Sequence, residues 1–310
     1  MENMNALAVV GLSKSYGEVD ALKGLDLTIE SGCFFGLLGP NGAGKSTFMS
    51  IISGFLRQDE GSIELFGESL NPVDPGQKRL IGLAPQNIAL YKDLSAEANL
   101  ALFGKLQGLR GSRLKARVNE ALQLAQLQER SKSPVKEFSG GMKRRLNIAV
   151  ALLHDPKILL CDEPTVGVDP QSRNAIYDTL LGLKEQGLTV LYSTHYMEEA
   201  ERLCDRIAII DHGEILREGE LHGLLQELPD IERITTRTAI LDAQARSAFG
   251  HFGEVQEHNG SIDLKPADGF RLSGFYRWIE EENMDARDFV VERPSLENLF
   301  LQLTGRDLRE

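Results

Sequence analysis

The chain has 310 residues, with 34 Lys and Arg against 46 Asp and Glu and a formal net charge of −12. That length accommodates one large domain and a small one, or two of medium size. The acidic balance argues against a broad electrostatic grip on nucleic-acid phosphates and leaves only local basic patches for such contacts.

Cys33, Cys161 and Cys204 lack the paired spacing of a zinc site or a disulfide framework and read as reduced thiols of a cytosolic protein. The opening residues MENMNALAVVGLSKSYG have no basic segment leading into a long apolar one. No stretch approaches the roughly 18 apolar residues of a spanning helix, so a chain neither exported nor membrane-spanning by itself is expected.

Residues 7–38 alternate short apolar runs with turns, LAVVGL, LDLTI and FFGLLG, which predicts strands feeding a glycine-rich loop with a helix starting near Lys45. From Leu100 to Gln128 the pattern changes to Leu- and Ala-rich stretches at helical spacing, broken by Gly108 and Gly111. A helical subdomain over about 92–150 follows from this, ending in FSGGMKRR and a helix over Leu146 to Leu153. Then come the apolar strand KILLCDEP, a helix over Arg173 to Glu185, the strand TVLYSTH and a hairpin about Asp211 to Gly213. Leu221 to Leu228 reads as a closing helix. The alternation implies an α/β sheet with a parallel core over 1–229.

Beyond Pro229 the order of predicted elements is βαββαβ, with a hairpin turning at Asn259 and Gly260, so 230–310 is expected to be a small α+β module of ferredoxin-like type. A last helix follows Ser295. Its stripe Leu296, Leu299, Phe300 and Leu303, with Gly305 as a stop, reads as a docking face for a partner. No internal repeat or low-complexity segment is present.

The stretch GPNGAGKST (Gly39, Pro40, Asn41, Gly42, Ala43, Gly44, Lys45, Ser46 and Thr47) completes GxxxxGK[ST] between a predicted strand and helix. Backbone N–H groups would surround a β-phosphate, Lys45 would reach the β and γ oxygens, and the Ser46 hydroxyl would hold Mg²⁺. ILLCDEP delivers Asp162 and Glu163 to the carboxyl end of a strand, where open α/β sheets bind ligands. Asp162 is expected in the Mg²⁺ shell and Glu163 as the group polarising the attacking water. Adjacent carboxylates at a strand end can also be merely solvated, a reading that weakens beside GKS.

His195 ends TVLYSTH where a γ-phosphate is expected nearby; elsewhere a lone histidine is more often a turn or core residue. Gln86, after RLIGLA, is a candidate for Mg²⁺ or water through its amide. Tyr16 precedes the cradle and is a candidate to stack on adenine, a buried or edge tyrosine being the equal alternative. In FSGGMKRR, Ser139 as N-cap with Gly140 and Gly141 makes a second phosphate-seeking helix terminus. Lys143, Arg144 and Arg145 sit in first turns, where the macrodipole disfavours cations, so a compensating anion is sought. A capped helix with a solvated basic face is the bland alternative. A segment placed after a long helical insert is poorly located to fold back onto its own cradle, and a facing copy of the chain solves the geometry.

As a set, GPNGAGKST, Gln86, FSGGM, ILLCDE, VGVD around Asp169 and His195 resemble, in order, the motifs of the ATP-binding cassette of ABC transporters, over roughly residues 6–229. The resemblance implies a P-loop ATPase fold, ATP and Mg²⁺ as ligands, and two cassettes clamped head to tail, each signature loop touching the nucleotide held by the other. The second cassette would be another copy or a paralogue. Met142 stands where the family usually has Gln, and Val166 and Val168 alter the more usual loop before Asp169. FSGGMKRR, EPTVGVDP, THYMEEAERLCDRIAIIDHG and the ending PSLENLFLQLTGRDLRE are similar to cassettes of drug, antibiotic or polysaccharide exporters with separate permeases. That implies a peripheral subunit on the cytoplasmic face of the membrane, held there by the permease. Competing readings are a soluble cassette ATPase acting on nucleic acid or ribosomes, and a low-turnover nucleotide sensor. The missing coiled-coil insertion and acidic balance oppose the first; ATPase assays with and without permease address the second.

Overall fold

In the computed structural model, residues 4–71, 73–226, 228–229, 231–267 and 269–305 are described. They divide between Leu221 and His222 into two compact units, whereas the step in sequence pattern falls at Pro229.

The first unit runs β1 (Asn5–Tyr16), β2 (Val19–Glu30), β3 (Phe34–Leu38), α1 (Lys45–Ile52), β4 (Glu60–Leu65), β5 (Glu68–Ser69), α2 (Pro75–Lys78), β6 (Ile81–Ala84), α3 (Ala96–Leu106), α4 (Gly111–Leu124), α5 (Gly140–Ala151), β7 (Ile158–Asp162), α6 (Pro170–Glu185), β8 (Thr189–Thr194), α7 (Met197–Leu203), β9 (Arg206–Asp211) and β10 (Glu214–Glu220). One sheet is antiparallel, in the order β2-β1-β4-β5; the other has six strands, β10-β9-β3-β8-β7-β6. In the second sheet β9, β3, β8, β7 and β6 run parallel and only β10 turns back, so it is a mixed sheet.

Strands buried on both faces read as unbroken apolar runs, which is the physical reason for FFGLL and ILLC. Phe35, Leu37, Ile158, Leu160 and Leu191 face one core with α1 and the antiparallel sheet. Phe34, Leu159, Cys161, Val190 and Tyr192 face the other with Ile176, Tyr177 and Leu180 of α6. Full burial of each such side chain contributes about 1.5–3 kcal/mol. The helical subdomain has its own core, where Leu100, Val118, Leu122, Phe138 and Leu146 meet. Its last helix starts at Gly140, earlier than the apolar pattern alone implies, because the Ser139 hydroxyl accepts the Met142 N–H at 3.2 Å and nucleates the first turn.

The division falls after the first residue of α8 (Leu221–Leu225). The second unit continues with β11 (Arg233–Arg237), α9 (Ala243–Phe249), β12 (Gly253–His258), β13 (Ser261–Pro266), α10 (Leu272–Glu281), β14 (Phe289–Glu292) and α11 (Leu296–Thr304). Its antiparallel sheet has the order β12-β13-β11-β14, the split βαβ arrangement. Asn259 and Gly260, at φ 46° and 85°, make the hairpin turn that right-twisted strands favour. Ile234, Ile262, Leu264 and Phe289 of the sheet pack with Phe249, Phe275 and Trp278 of the helices.

Along α11 the expected docking stripe is corrected. Leu296, Leu299 and Phe300 are 0%, 1% and 1% exposed, and Leu303 is half-buried. An apolar helical face takes the nearest apolar cover, and here the chain itself supplies that cover.

Candidate functional site

Parallel pairing fixes where the chemistry gathers. Leu38 is registered with Thr194, Asp162 with Ser193 and Ala84 with Cys161. The residues that follow these strand ends, the glycine-rich loop, His195, Glu163 and Gln86, therefore emerge side by side at one edge of the sheet, the edge at which such sheets bind ligands.

The loop from Gly39 to Gly44 leads into α1 through an N-cap, Gly44, at φ 109° with no side-chain cap. An L-residue there would be strained, and its Cβ would lie 2.5 Å from the Ala21 carbonyl oxygen. The orphan N–H groups of the first turn are thus left for a ligand. Lys45 is 5% exposed and its Nζ donates to the carbonyls of Gly39 (2.7 Å) and Pro40 (3.0 Å). Burial pushes its pKa below the ordinary lysine value, and Glu163, then Asp162, oppose that shift. A buried cation beside free N–H groups suits a phosphate chain. Ser46 is exposed on the first turn.

Glu163 is the hub. Its Oε1 is 3.2 Å from Lys45 Nζ and 3.2 Å from His195 Nδ1, and its Oε2 accepts Gln86 Nε2 at 2.9 Å. The backbone holds it at φ 44°, in the left-handed region that non-glycine residues seldom adopt and that costs about 1–3 kcal/mol. Its own N–H donates to Ser193 Oγ at 3.1 Å, while Ser193 Oγ donates to Asp162 Oδ1 at 2.6 Å. Ser193 therefore orients the Asp162 carboxylate and holds the Glu163 backbone, a role missed in reading the sequence; its signal was a hydroxyl in a fully buried strand, one residue before Thr194.

Arg144 is the second group that sequence reasoning misplaced. It is 5% exposed and donates to the carbonyls of Gln86 (2.6 Å), Pro85 (3.2 Å) and Val166 (3.5 Å). Its hydrogen bonds all go to backbone carbonyls, which tie α5 to the Gln86 loop, while the charges of Asp162 and Glu163 favour the buried cation from a distance. Arg145 donates to Gln126 Oε1 at 2.8 Å.

Ser139, Gly140, Gly141 and Asp169 form a separate cluster. Ser139 and Gly140 are exposed, and Asp169 caps α6 by accepting the Ser172 N–H at 2.9 Å. That bond, first, holds the Asp169 carboxyl below its ordinary range. A Cβ on Gly141 would lie 2.2 Å from Ser172 Oγ, so glycine is what lets α5 approach α6. Among the described residues no hydrogen bond or ion pair joins this cluster to Lys45, Gln86, Glu163 or His195. Tyr16 stands apart from both, 52% exposed at the end of β1, with Lys14 Nζ 6.0 Å from its ring centre.

For a divalent cation the available atoms are the Ser46 hydroxyl, the Asp162 carboxylate and the Gln86 amide oxygen, whose nitrogen is committed to Glu163. An all-oxygen set fits hard Mg²⁺, which also takes phosphate oxygens. Among the described residues no cluster of three or more His, Cys, Asp or Glu could hold a metal unaided, so the fit is to a cation shared with a nucleotide. The large cavity of about 730 Å³ beside Leu124, Lys157 and Thr189 opens at the other, amino ends of β7 and β8.

An uncapped glycine-rich helix terminus, a buried lysine and a strand-end carboxylate define a P-loop nucleoside-triphosphatase site. The family described as ABC transporter matches residues 22–166. The chain is 42% identical to the linearmycin resistance ATP-binding protein LnrL of Bacillus subtilis, over 98% of this chain and 100% of that one. It is 36% identical to the Nod factor export ATP-binding protein I of Ralstonia nicotianae, over 98% and 95% respectively. Among solved structures it resembles the dimeric, post-hydrolysis structure of an ATP-binding cassette bound to ADP and Pi, with 31% identity, a TM-score of 0.63 and coverage of 69% of this chain and 98% of that one. The chain belongs to the ABC transporter family, as one of its ATP-hydrolysing subunits.

Proposed function

We propose that two copies of this chain, or one copy and a paralogue, clamp head to tail around two Mg-ATP molecules and hydrolyse them to drive export through separate membrane permease subunits. One observation carries the reading: the Glu163 carboxylate lies within reach of Lys45, Gln86 and His195 at the carboxyl ends of parallel strands. Mg²⁺, when bound, offsets charge on the transferring phosphoryl group, with Ser46, Asp162 and Gln86 as its protein ligands.

Residues Gly39 to Thr47 wrap the phosphates, and Tyr16 stacks on the adenine. For Lys45 to meet a γ-phosphate, its pair with Glu163 opens, which turns Oε1 toward the attacking water; Glu163 then acts as general base. His195, held on the same oxygen, aligns that water against the γ-phosphate, and Gln86 keeps the other oxygen in place. Ser139, Gly140 and Asp169, exposed or capping, and Gly141, packed behind them against α6, have no partner in their own cradle and meet the nucleotide of the facing copy.

Export is supported by the names of the relatives, one of resistance and one of export. The permease groove is placed beside Gln86 and the helical subdomain, where Tyr91 and Leu106 are exposed. No helix among the described residues is long and apolar enough to cross a membrane, so attachment to the cytoplasmic face runs through the permease. The module over 230–310 carries no assigned phosphate or water ligand and serves dimer control.

Mixing Lys45→Ala with Ser139→Arg tests the shared site by light scattering. Each variant alone fails to dimerise with ATP. The mixture, which contains one intact composite site, regains ATP-dependent association. If Ser139→Arg abolished nucleotide binding by isolated monomers, the signature would act within its own chain and the clamp would be wrong.

A further inference from the structure

Behind the site lies a buried acid that the chemistry above does not use. Glu199, in the first turn of α7, is 2% exposed. Its Oε1 accepts Thr165 Oγ1 at 2.6 Å and Tyr177 OH at 2.8 Å, and its Oε2 accepts Thr194 Oγ1 at 2.8 Å and Tyr192 OH at 2.9 Å. Two donors per oxygen fill the acceptor capacity of an ionised carboxylate. Among the described residues no ion pair neutralises it; Arg202 instead lies over the Tyr177 ring, 5.0 Å from its centre. Burial, then the Glu199 charge, raises the Tyr177 and Tyr192 hydroxyls well above their ordinary values, so both remain donors.

Removing a carboxylate from water costs far more than packing apolar atoms in the same space. Four hydroxyl bonds offset that cost only if all four donors are held in one arrangement, so the acid fixes the segments that carry them. Those segments bear the reacting groups. Thr165 follows Glu163 by two positions, and Thr194 directly precedes His195. Thr194 Oγ1 also accepts the Tyr196 N–H at 2.9 Å, so both neighbours of His195 are pinned. Tyr177 lies on α6, the helix capped by Asp169.

We propose that Glu199 is a positioning residue for hydrolysis: through its four hydroxyl bonds it sets the His195–Glu163 contact and links that contact to the helix that begins at Asp169. The inference rests on the proposed roles of Glu163 and His195, and it adds a group that touches neither nucleotide nor water. A misplacement of about 1 Å at a reacting centre can cost about 10²-fold in rate, so loosening the knot should act on turnover and spare binding.

The test compares Glu199→Ala, Glu199→Gln, Thr194→Val and Tyr177→Phe with wild type and Glu163→Gln, reading ATP affinity, KM, kcat, melting temperature and the His195 imidazole NMR signals in the full chain. Glu199→Ala is expected to lower kcat at least about tenfold with KM and ATP affinity within about twofold, and Glu199→Gln, which keeps one doubly accepting oxygen, to recover part of the loss. Thr194→Val and Tyr177→Phe each delete one bond to the same carboxylate and are near-isosteric, Thr194→Val removing the acceptor of the Tyr196 N–H as well, which keeps the test available if Glu199→Ala does not fold. Positioning requires Thr194→Val to reduce kcat and shift the His195 signals much more than Tyr177→Phe at equal loss of melting temperature. Equal kcat losses that track melting temperature, or wild-type kcat and unshifted His195 signals in folded Glu199→Ala, overturn the proposal. If Glu163→Gln hydrolysed ATP like wild type, the roles assigned to the site would fail instead, and the His195 signals would still decide whether Glu199 sets that side chain.

Discussion

Two glycine-rich turns of this chain open helices with cations nearby, and they are built in opposite ways. At Gly44 the N-cap has a left-handed backbone and no side-chain cap, and Lys45 is buried against Glu163. At Ser139 the N-cap hydroxyl satisfies the Met142 N–H, the turn is exposed, and its buried cation, Arg144, reaches away to the Gln86 loop. The first leaves its N–H groups unpaired and brings Lys45 and Glu163 of the same chain beside them. The second is already capped and offers a finished surface. A motif at a helix start thus states its role through what the chain does with the orphan N–H groups.

The strongest challenge to that contrast is Glu163→Gln. Hydrolysis should fall by about 10²–10⁴-fold, the range of a positioned general base, while ATP binding persists, as measured by phosphate release and a fluorescent ATP analogue. Lys45→Ala comes next: removing a charge-assisted contact worth about 1.5–3 kcal/mol should weaken ATP binding by about 10- to 100-fold, whereas Ser139→Ala should leave the monomer's affinity unchanged in the same titration. At the second turn Gly141→Ala drives a Cβ to within 2.3 Å of Ser172 Cβ, so overpacking should cost about 1–3 kcal/mol in a denaturant melt. Ser172→Gly in the same chain should restore most of it; no rescue would mean that the α5–α6 approach is not what demands glycine. Smallest is the cap itself: Ser139→Ala should cost about 1 kcal/mol, and a cost near zero would mean that the turn is held by packing alone.

Much of the site was legible because its residues stand at the ends of strands: Asp162 where the apolar run ILLC turns abruptly polar, His195 just after the buried strand TVLYST. The parallel sheet and the βαββαβ order of the tail follow from the same periodicities. Illegible were groups whose partners are backbone atoms or lie across the sheet. Arg144 spells a surface cation and is buried by three carbonyls. Glu199 reads as one acid in MEEAERL, and only folding shows four hydroxyls converging on it. The α11 stripe was seen, but an amphipathic pattern specifies that a face is covered, not by what. Helix α7 was overlooked because at seven residues it is too short to display a period.

The order of strands in the six-stranded sheet also sets a schedule for the chain as it is made. Phe34 pairs with Val190 and Leu38 with Thr194, and β9 closes the other side. Synthesis at about 5–20 residues per second leaves FFGLL without either neighbour for on the order of ten to thirty seconds. For that interval the most apolar strand of the protein, with the phosphate loop at its end, is an unpaired edge during translation. The cradle is therefore among the first functional parts to leave the ribosome and among the last to acquire walls, and nascent chains stalled before Val190 should depend on a chaperone that shields this strand.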